Sequence, residues 1–277
     1  MISGKTSLIA HIGYPTHSFK APMIYNPYFE REGIDAVVMP MGVKAEDFAT
    51  SFPAIMRFSN IHGALITMPH KVSVVALLDE VTPTVRVAGA CNAVLLRPDG
   101  TLLGDMFDGD GFVRGVQRKG RNVTGAKVLV VGTGGVGSAI AASFAKAGAS
   151  ALGLYDVNTA SADGLAARLR QHYPQIDVRT GANDPAGYDI VVNATPMGMN
   201  AGDPMPMDVS RIAPTTFVGE VVMKQEMTAF LDAAKARGCQ YQVGTDMLFE
   251  QIPAYLEFFG FRTTTPEVLR EVATLEY

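Results

Sequence analysis

The chain has no tryptophan, and its two cysteines, Cys91 and Cys239, stand far apart with no C-x-x-C or C-x-x-H company. That excludes a disulfide framework and a zinc site, so no metal is expected and both thiols read as small buried apolar side chains. Long apolar runs are missing too: none approaches the roughly 20 residues that a membrane helix needs. The run at 7–12 has neither the length of a signal-peptide core nor a small-residue cleavage site, which points to a cytoplasmic protein with no membrane partner. A basic excess is also lacking, since 23 Lys and Arg are scattered among 27 Asp and Glu for a net charge of −4. Nucleic acid therefore finds no electrostatic footprint. There is no internal repeat and no low-complexity tract.

What is present is an ordinary folded composition, 48% apolar and 18% charged over 277 residues, long enough for two domains. Strand-like runs at 7–12, 34–39, 63–67 and 92–96 alternate with an amphipathic stretch at 22–32, and the turn Pro98-Asp99-Gly100 closes this layer. A helix at 109–118 leads to a glycine turn at 120–125. Beyond it, strands are expected at 127–131, 151–155, 177–180, 189–193, 216–222 and 240–243, with helices at 135–147, 159–173 and 227–237. Two terminal helices are expected at 247–259 and 266–274. The order predicts two α/β domains: an N-terminal substrate and catalytic domain over 1–108, a doubly wound Rossmann dinucleotide-binding domain over 109–243, and C-terminal helices over 244–277 that pack back on the first domain.

Gly132-Thr133-Gly134-Gly135-Val136-Gly137 directly follows a strand and opens a helix. In that context the first glycine permits the tight turn, the second lets backbone approach a pyrophosphate, and the third lets helix and strand pack closely. Asp156 ends the next strand, near the spacing expected of a carboxylate that takes the adenosine ribose hydroxyls, and no Arg follows it in Tyr155-Asp156-Val157-Asn158. NAD is therefore favoured over NADP. The bland alternative makes Asp156 a cap for the helix at 159–173.

Three polar clusters end elements of the first half: Thr67-Met68-Pro69-His70-Lys71, Gly89-Ala90-Cys91-Asn92, and the run from Gly104 to Phe112 around Asp108. With the glycine fingerprint, Asn193-Ala194-Thr195-Pro196-Met197-Gly198 and Gly244-Thr245-Asp246-Met247-Leu248-Phe249-Glu250-Gln251, they resemble in order and interval the motifs of the shikimate dehydrogenase family. The resemblance implies a Lys and Asp catalytic pair, Lys71 and Asp108. Lys71 would donate a proton to the carbonyl oxygen as hydride arrives and remove it in the reverse direction, with Asp108 orienting it. It also implies that Thr67, Asn92 and Gln251 hydrogen-bond substrate hydroxyls, and that Asn193, Ala194 and Thr195 line the nicotinamide.

The departures cluster. The first loop, Gly13-Tyr14-Pro15-Thr16-His17-Ser18-Phe19-Lys20-Ala21-Pro22, has Phe19 and Ala21 where the family pattern has two serines on the substrate carboxylate. Leu65, Phe107 and Met223 likewise replace Asn, Thr and Tyr. Each lost bond to an ionised group costs about 1.5–3 kcal/mol of binding, so the expected substrate is a cyclic alcohol: a ring acid held differently, with His17 and Lys20 as relocated anion contacts, or a less acidic compound. The alternatives are an authentic shikimate dehydrogenase reducing 3-dehydroshikimate, a cofactor-binding sensor whose catalysis has lapsed, and, more remotely, a methylenetetrahydrofolate-type dehydrogenase. A homodimer stays open.

Overall fold

The apolar runs Lys127–Val131 and Ile190–Asn193 are neighbouring parallel strands at the centre of a six-stranded sheet, buried on both faces as continuous Val- and Ile-rich segments are. The computed structural model describes residues 2–276. The chain divides into two units, one running up to Phe107 and resuming over Gln251–Glu276, the other covering Asp108–Glu250.

In the first unit the elements are β1 (Ser7–Gly13), α1 (Pro22–Glu32), β2 (Ala36–Gly42), α2 (Phe48–Ile55), β3 (Ile61–Ile66), β4 (Glu80–Val81), α3 (Pro83–Ala88), β5 (Ala93–Leu96) and β6 (Leu102–Asp105). The sheet order is β2-β1-β3-β5-β6-β4. Strands β2, β1 and β3 run parallel, whereas β5 is antiparallel to both β3 and β6. The sequence reading missed β4, β6, α2 and α3, and with them the antiparallel half. The cause is local: β5 and β6 are four-residue strands joined by a tight turn in which Arg97 N–H donates to Thr101 O (2.9 Å), and so short a hairpin shows little period. Ile9 and Ile12 of β1, Ile66 of β3 and Phe52 of α2 are fully buried with Tyr25, Tyr28 and Phe29 of α1. The segment after residue 251 belongs to this unit: Tyr28 Oη donates to Arg262 O (2.8 Å) and Thr274 N–H to Met23 O (3.0 Å).

The second unit holds α4 (Asp108–Arg118), β7 (Lys127–Val131), α5 (Gly135–Lys146), β8 (Ala151–Tyr155), α6 (Thr159–His172), β9 (Asp177–Thr180), β10 (Ile190–Asn193), β11 (Phe217–Glu220), α7 (Ala229–Ala236) and β12 (Tyr241–Gln242). Helix α8 (Gly244–Phe258) begins here and ends in the first unit, which also holds α9 (Pro266–Val272). All pairings are parallel in the order β12-β11-β10-β7-β8-β9, the doubly wound arrangement. Helix α4 carries three glycines, a poor helix composition by itself. Packing explains it: a Cβ on Gly109 would lie 2.1 Å from the Ala139 carbonyl oxygen of α5, so only glycine allows the two helices to approach so closely. Among the described residues no helix is long and apolar enough to cross a membrane.

Candidate active site

In the second unit the strand order reverses between β7 and β10, and open parallel sheets bind ligands beyond the carboxyl ends of such strands. Gly132 follows β7 and Ala194 follows β10. Gly132 takes φ 96°, and a Cβ on it would meet the Ala194 carbonyl at 2.7 Å. Gly137, in the first turn of α5, lies so close to the preceding turn that a Cβ would fall 1.9 Å from Gly132 O. Gly134 differs. It is the exposed residue at which α5 starts, and a Cβ there meets nothing within 4 Å, so the space above the helix N-terminus is open. Gly135 and Val136 complete this half-buried turn. The residues fit the pyrophosphate of a dinucleotide, with backbone alone at the positive end of the helix.

Asp156 ties this turn to the end of β8. Its Oδ2 accepts from Thr133 N–H (2.7 Å) and from Thr133 Oγ1 (3.1 Å), while Oδ1 accepts from Asn158 N–H (2.9 Å). It does not cap α6, whose N-cap is Asn158 with no side-chain cap bond. On the other flank, Asn193 is fully buried, and its Oδ1 accepts from Thr195 N–H (3.1 Å) and Oγ1 (2.6 Å), which shapes the Asn193-Ala194-Thr195 loop.

Beside Asn193 in register stands Glu220, the last residue of β11, with no exposed surface. Its Oε2 accepts from Thr228 Oγ1 (2.9 Å). Burial pushes its carboxyl up to about 7, against the opposing effect of the Thr228 and Asn193 side chains. Sequence reading missed this pair, although an acid inside the apolar run 216–222 was a visible signal.

In the first unit, β1, β3 and β5 bring three segments together. Thr67 N–H donates to Ile12 O (2.9 Å), Tyr14 N–H to Met68 O (2.9 Å), Ile66 N–H to Asn92 O (2.8 Å) and Cys91 N–H to Lys71 O (2.8 Å). Half-buried Thr67 and Lys71 and buried Asn92 therefore share one end of the sheet. Asn92 Oδ1 accepts from Phe107 N–H (3.0 Å), whereas its buried Nδ2 has no protein partner. Gln251, also buried, has an unpartnered Oε1. It lies one turn before Tyr255 on α8, and Tyr255 Oη donates to Asn92 O (3.4 Å). Asp108 opens α4 in the second unit and is buried.

The neighbours are mostly structural. His70 donates from Nε2 to Val43 O (2.7 Å) and stacks on Phe48 at 3.9 Å. Cys91 and Cys239 are free and buried, with the Cys91 thiol pushed up to about 12 mainly by burial. Phe19 lies against Gly13 and stacks on His11 at 4.1 Å, and Ala21 is buried at the start of α1. Lys20 is not the free anion contact that its place in the loop suggested: its ammonium donates to the Glu276 carbonyl. Phe107 packs on Tyr255 (4.7 Å) and Phe258 (5.5 Å).

A mixed α/β unit with a polar strand-end cluster, and a doubly wound unit with a glycine turn at its switch point, define a nicotinamide dinucleotide-dependent oxidoreductase. Residues 11–94 match the shikimate dehydrogenase substrate binding domain. A shikimate dehydrogenase (NADP(+)) of Rubrobacter xylanophilus is 35% identical over 254 residues, 90% of this chain and 89% of that protein. Among solved structures, a quinate dehydrogenase from Corynebacterium glutamicum in complex with NAD is 30% identical with TM-score 0.85, covering 96% of this chain and 98% of that one. The 5-ketofructose reductase of Gluconobacter sp. strain CHM43 is 26% identical with TM-score 0.85, covering 98% of each chain. The chain belongs to the shikimate dehydrogenase family, as an oxidoreductase of the shikimate/quinate type acting on CH–OH groups.

Proposed function

We propose that Lys71 is the proton donor and acceptor for the reacting oxygen, with Asp108 as the second catalytic residue, and that Thr67, Asn92 and Gln251 hold the hydroxyls of a cyclic or sugar-like polyol. One observation carries this reading. Asn92 Nδ2 and Gln251 Oε1 are buried polar atoms without protein partners in the unit that carries Lys71. An unsatisfied buried group costs about 1–3 kcal/mol, a cost that a hydroxylated ligand removes by supplying one acceptor and one donor. The domain roles follow: substrate to the first unit, dinucleotide to the second.

When bound, the dinucleotide supplies or receives the hydride at the reacting carbon. Lys71 protonates the oxygen of a ketone, or takes the proton of an alcohol, on the polar end of the sheet. Gly132, Gly134, Gly135, Val136 and Gly137 cradle the pyrophosphate, Asn193, Ala194 and Thr195 border the nicotinamide, and Asp156 takes the adenosine ribose. For the choice of dinucleotide, the NADP(+) in the relatives' names weighs for NADP. The residues of this chain weigh for NAD, because a carboxylate followed by Val157 and Asn158 repels a 2′-phosphate and no Arg stands there to receive it. We take NAD; a kcat/KM higher with NADP reverses that choice alone.

The test is Lys71→Ala, assayed by nicotinamide absorbance over a panel of shikimate, quinate and 5-ketofructose. Turnover is expected to fall about a hundred- to ten-thousand-fold while the dinucleotide Kd is kept. A variant that keeps its turnover removes Lys71 from the chemistry, and a parent inactive over the whole panel favours the sensor alternative.

A further inference from the structure

We propose that the enzyme acts on an uncharged polyhydroxylated compound, and that Phe19 and Ala21 form the wall that selects against a carboxylate on the substrate. The inference rests on the reading above, in which Thr67, Asn92 and Gln251 bind hydroxyls and Lys71 is committed to the reacting oxygen.

The loop over residues 13–22 lies against the Thr67 cluster: a Cβ on Gly13 would meet Thr67 Cγ2 at 2.3 Å, Met68 O at 2.8 Å and Phe19 Cζ at 3.0 Å. An ionised carboxylate entering there needs a cation or several aimed donors to replace its hydration. Neither buried basic side chain of the loop region supplies that cation. The Lys20 ammonium is buried and donates to the backbone carbonyl of Glu276. His11, behind the Phe19 ring, stays neutral at any working pH, because burial and the nearby Lys71 charge hold its imidazole down to about 3.

The start of helix α1 offers no substitute. Helix α1 would be an anion site if its first amides were unused, but Pro22 has no N–H and the next two are taken: Met23 N–H donates to Lys20 O (3.0 Å) and Ile24 N–H to Ala21 O (3.0 Å). In the loop itself Phe19 N–H donates to Thr16 O (3.0 Å). The remaining side-chain donors near the loop carry no fixed positive charge: the hydroxyls of Tyr14, Thr16 and Ser18, the neutral His11, whose buried Nδ1 has no protein partner, and the solvent-exposed His17. The Phe19 ring beside Gly13 and the methyl group of Ala21 at the start of α1 add no donor, which suits the C–H face of a polyol better than a carboxylate.

The experiment compares shikimate with its methyl ester, which keeps every ring hydroxyl and masks the charge, in the parent enzyme with NAD. The ester is expected to show a kcat/KM at least about tenfold higher. In Phe19→Ser/Ala21→Ser the ratio is expected to move about tenfold or more toward the acid, chiefly through KM, while Phe19→Leu holds the parent's ratio. A parent that prefers the acid, or a double variant whose ratio does not move, overturns the inference and leaves the Lys71 reading standing. Absence of turnover with either compound and with every uncharged polyol and ketone tried overturns both.

Discussion

The glycine turn of the second unit and the loop at residues 13–22 of the first both follow a parallel strand, yet they are built on different principles. In the turn, identity is dictated by backbone: Gly132 needs φ 96°, and Gly137 sits where a Cβ would be 1.9 Å from a carbonyl oxygen. No other residue type fits either position without moving the main chain. In the loop the deciding groups are side chains, Phe19 and Ala21, on backbone that carries no positive φ. Such positions place no demand of their own on backbone conformation. A cofactor cradle made of backbone stays recognisable, and a substrate wall made of side chains changes with the substrate.

The strongest way to break this comparison is Gly137→Ala. The added methyl group has to displace the Gly132 carbonyl or the start of α5, so overpacking is expected to cost about 1–3 kcal/mol of stability, a loss of several degrees in Tm. Because the same shift misaligns the helix N-terminus, dinucleotide affinity is expected to fall about a hundredfold by titration calorimetry. An unchanged Tm with unchanged affinity would show that the turn is as exchangeable as the loop.

The same contrast explains what could be read in advance. Strands buried on both faces, β7 and β10, and the Ala-rich α5 announce themselves by continuous apolar runs, and the expectation of a mostly parallel, doubly wound sheet followed from them. In the first unit β4 has two residues and β6 four, including Gly104, so neither has the length to show a period. Their pairing is decided by contacts distant in sequence, as is the burial of Asn92 Nδ2 and Gln251 Oε1 by separate elements. Lys71 and Asn92 could be named from motifs, but that Lys20 is spent on the Glu276 carbonyl depends on a chain segment more than 250 positions away.

Glu220 tests the division from the other side, since it is a side-chain feature inside the backbone-built unit. Its carboxyl, raised from 4.5 to about 7, holds its proton more tightly in the folded protein. The protonated form is the stable one, so its contribution is complete below the unfolded value near 4.5 and is lost as pH rises through about 7. Two to three pKa units correspond to about 3 kcal/mol at this fully buried site, with the loss complete above the folded value. Thermal melts of the parent at pH 5 and pH 8 are expected to show that fall, and Glu220→Gln, which keeps a neutral group of the same shape beside Thr228, is expected to flatten it. A Gln variant with the parent's full pH dependence would place the titration elsewhere.

The smallest effect is expected at Gly134, and it separates two demands that the glycine fingerprint joins. A Cβ at Gly137 meets protein, whereas a Cβ at Gly134 meets nothing within 4 Å and lies on the exposed side of the helix start at ordinary backbone angles, φ −66° and ψ −169°. Folding places no requirement on that position, so Gly134→Ala is expected to leave Tm within about a degree of the parent, as surface substitutions do. Any requirement must come from the ligand. If the pyrophosphate lies on this backbone, the methyl group stands in its path and the dinucleotide Kd is expected to rise about tenfold. A Kd unchanged in Gly134→Ala would mean that the pyrophosphate approaches the turn from another side, and the second glycine would then be needed by neither the fold nor the cofactor.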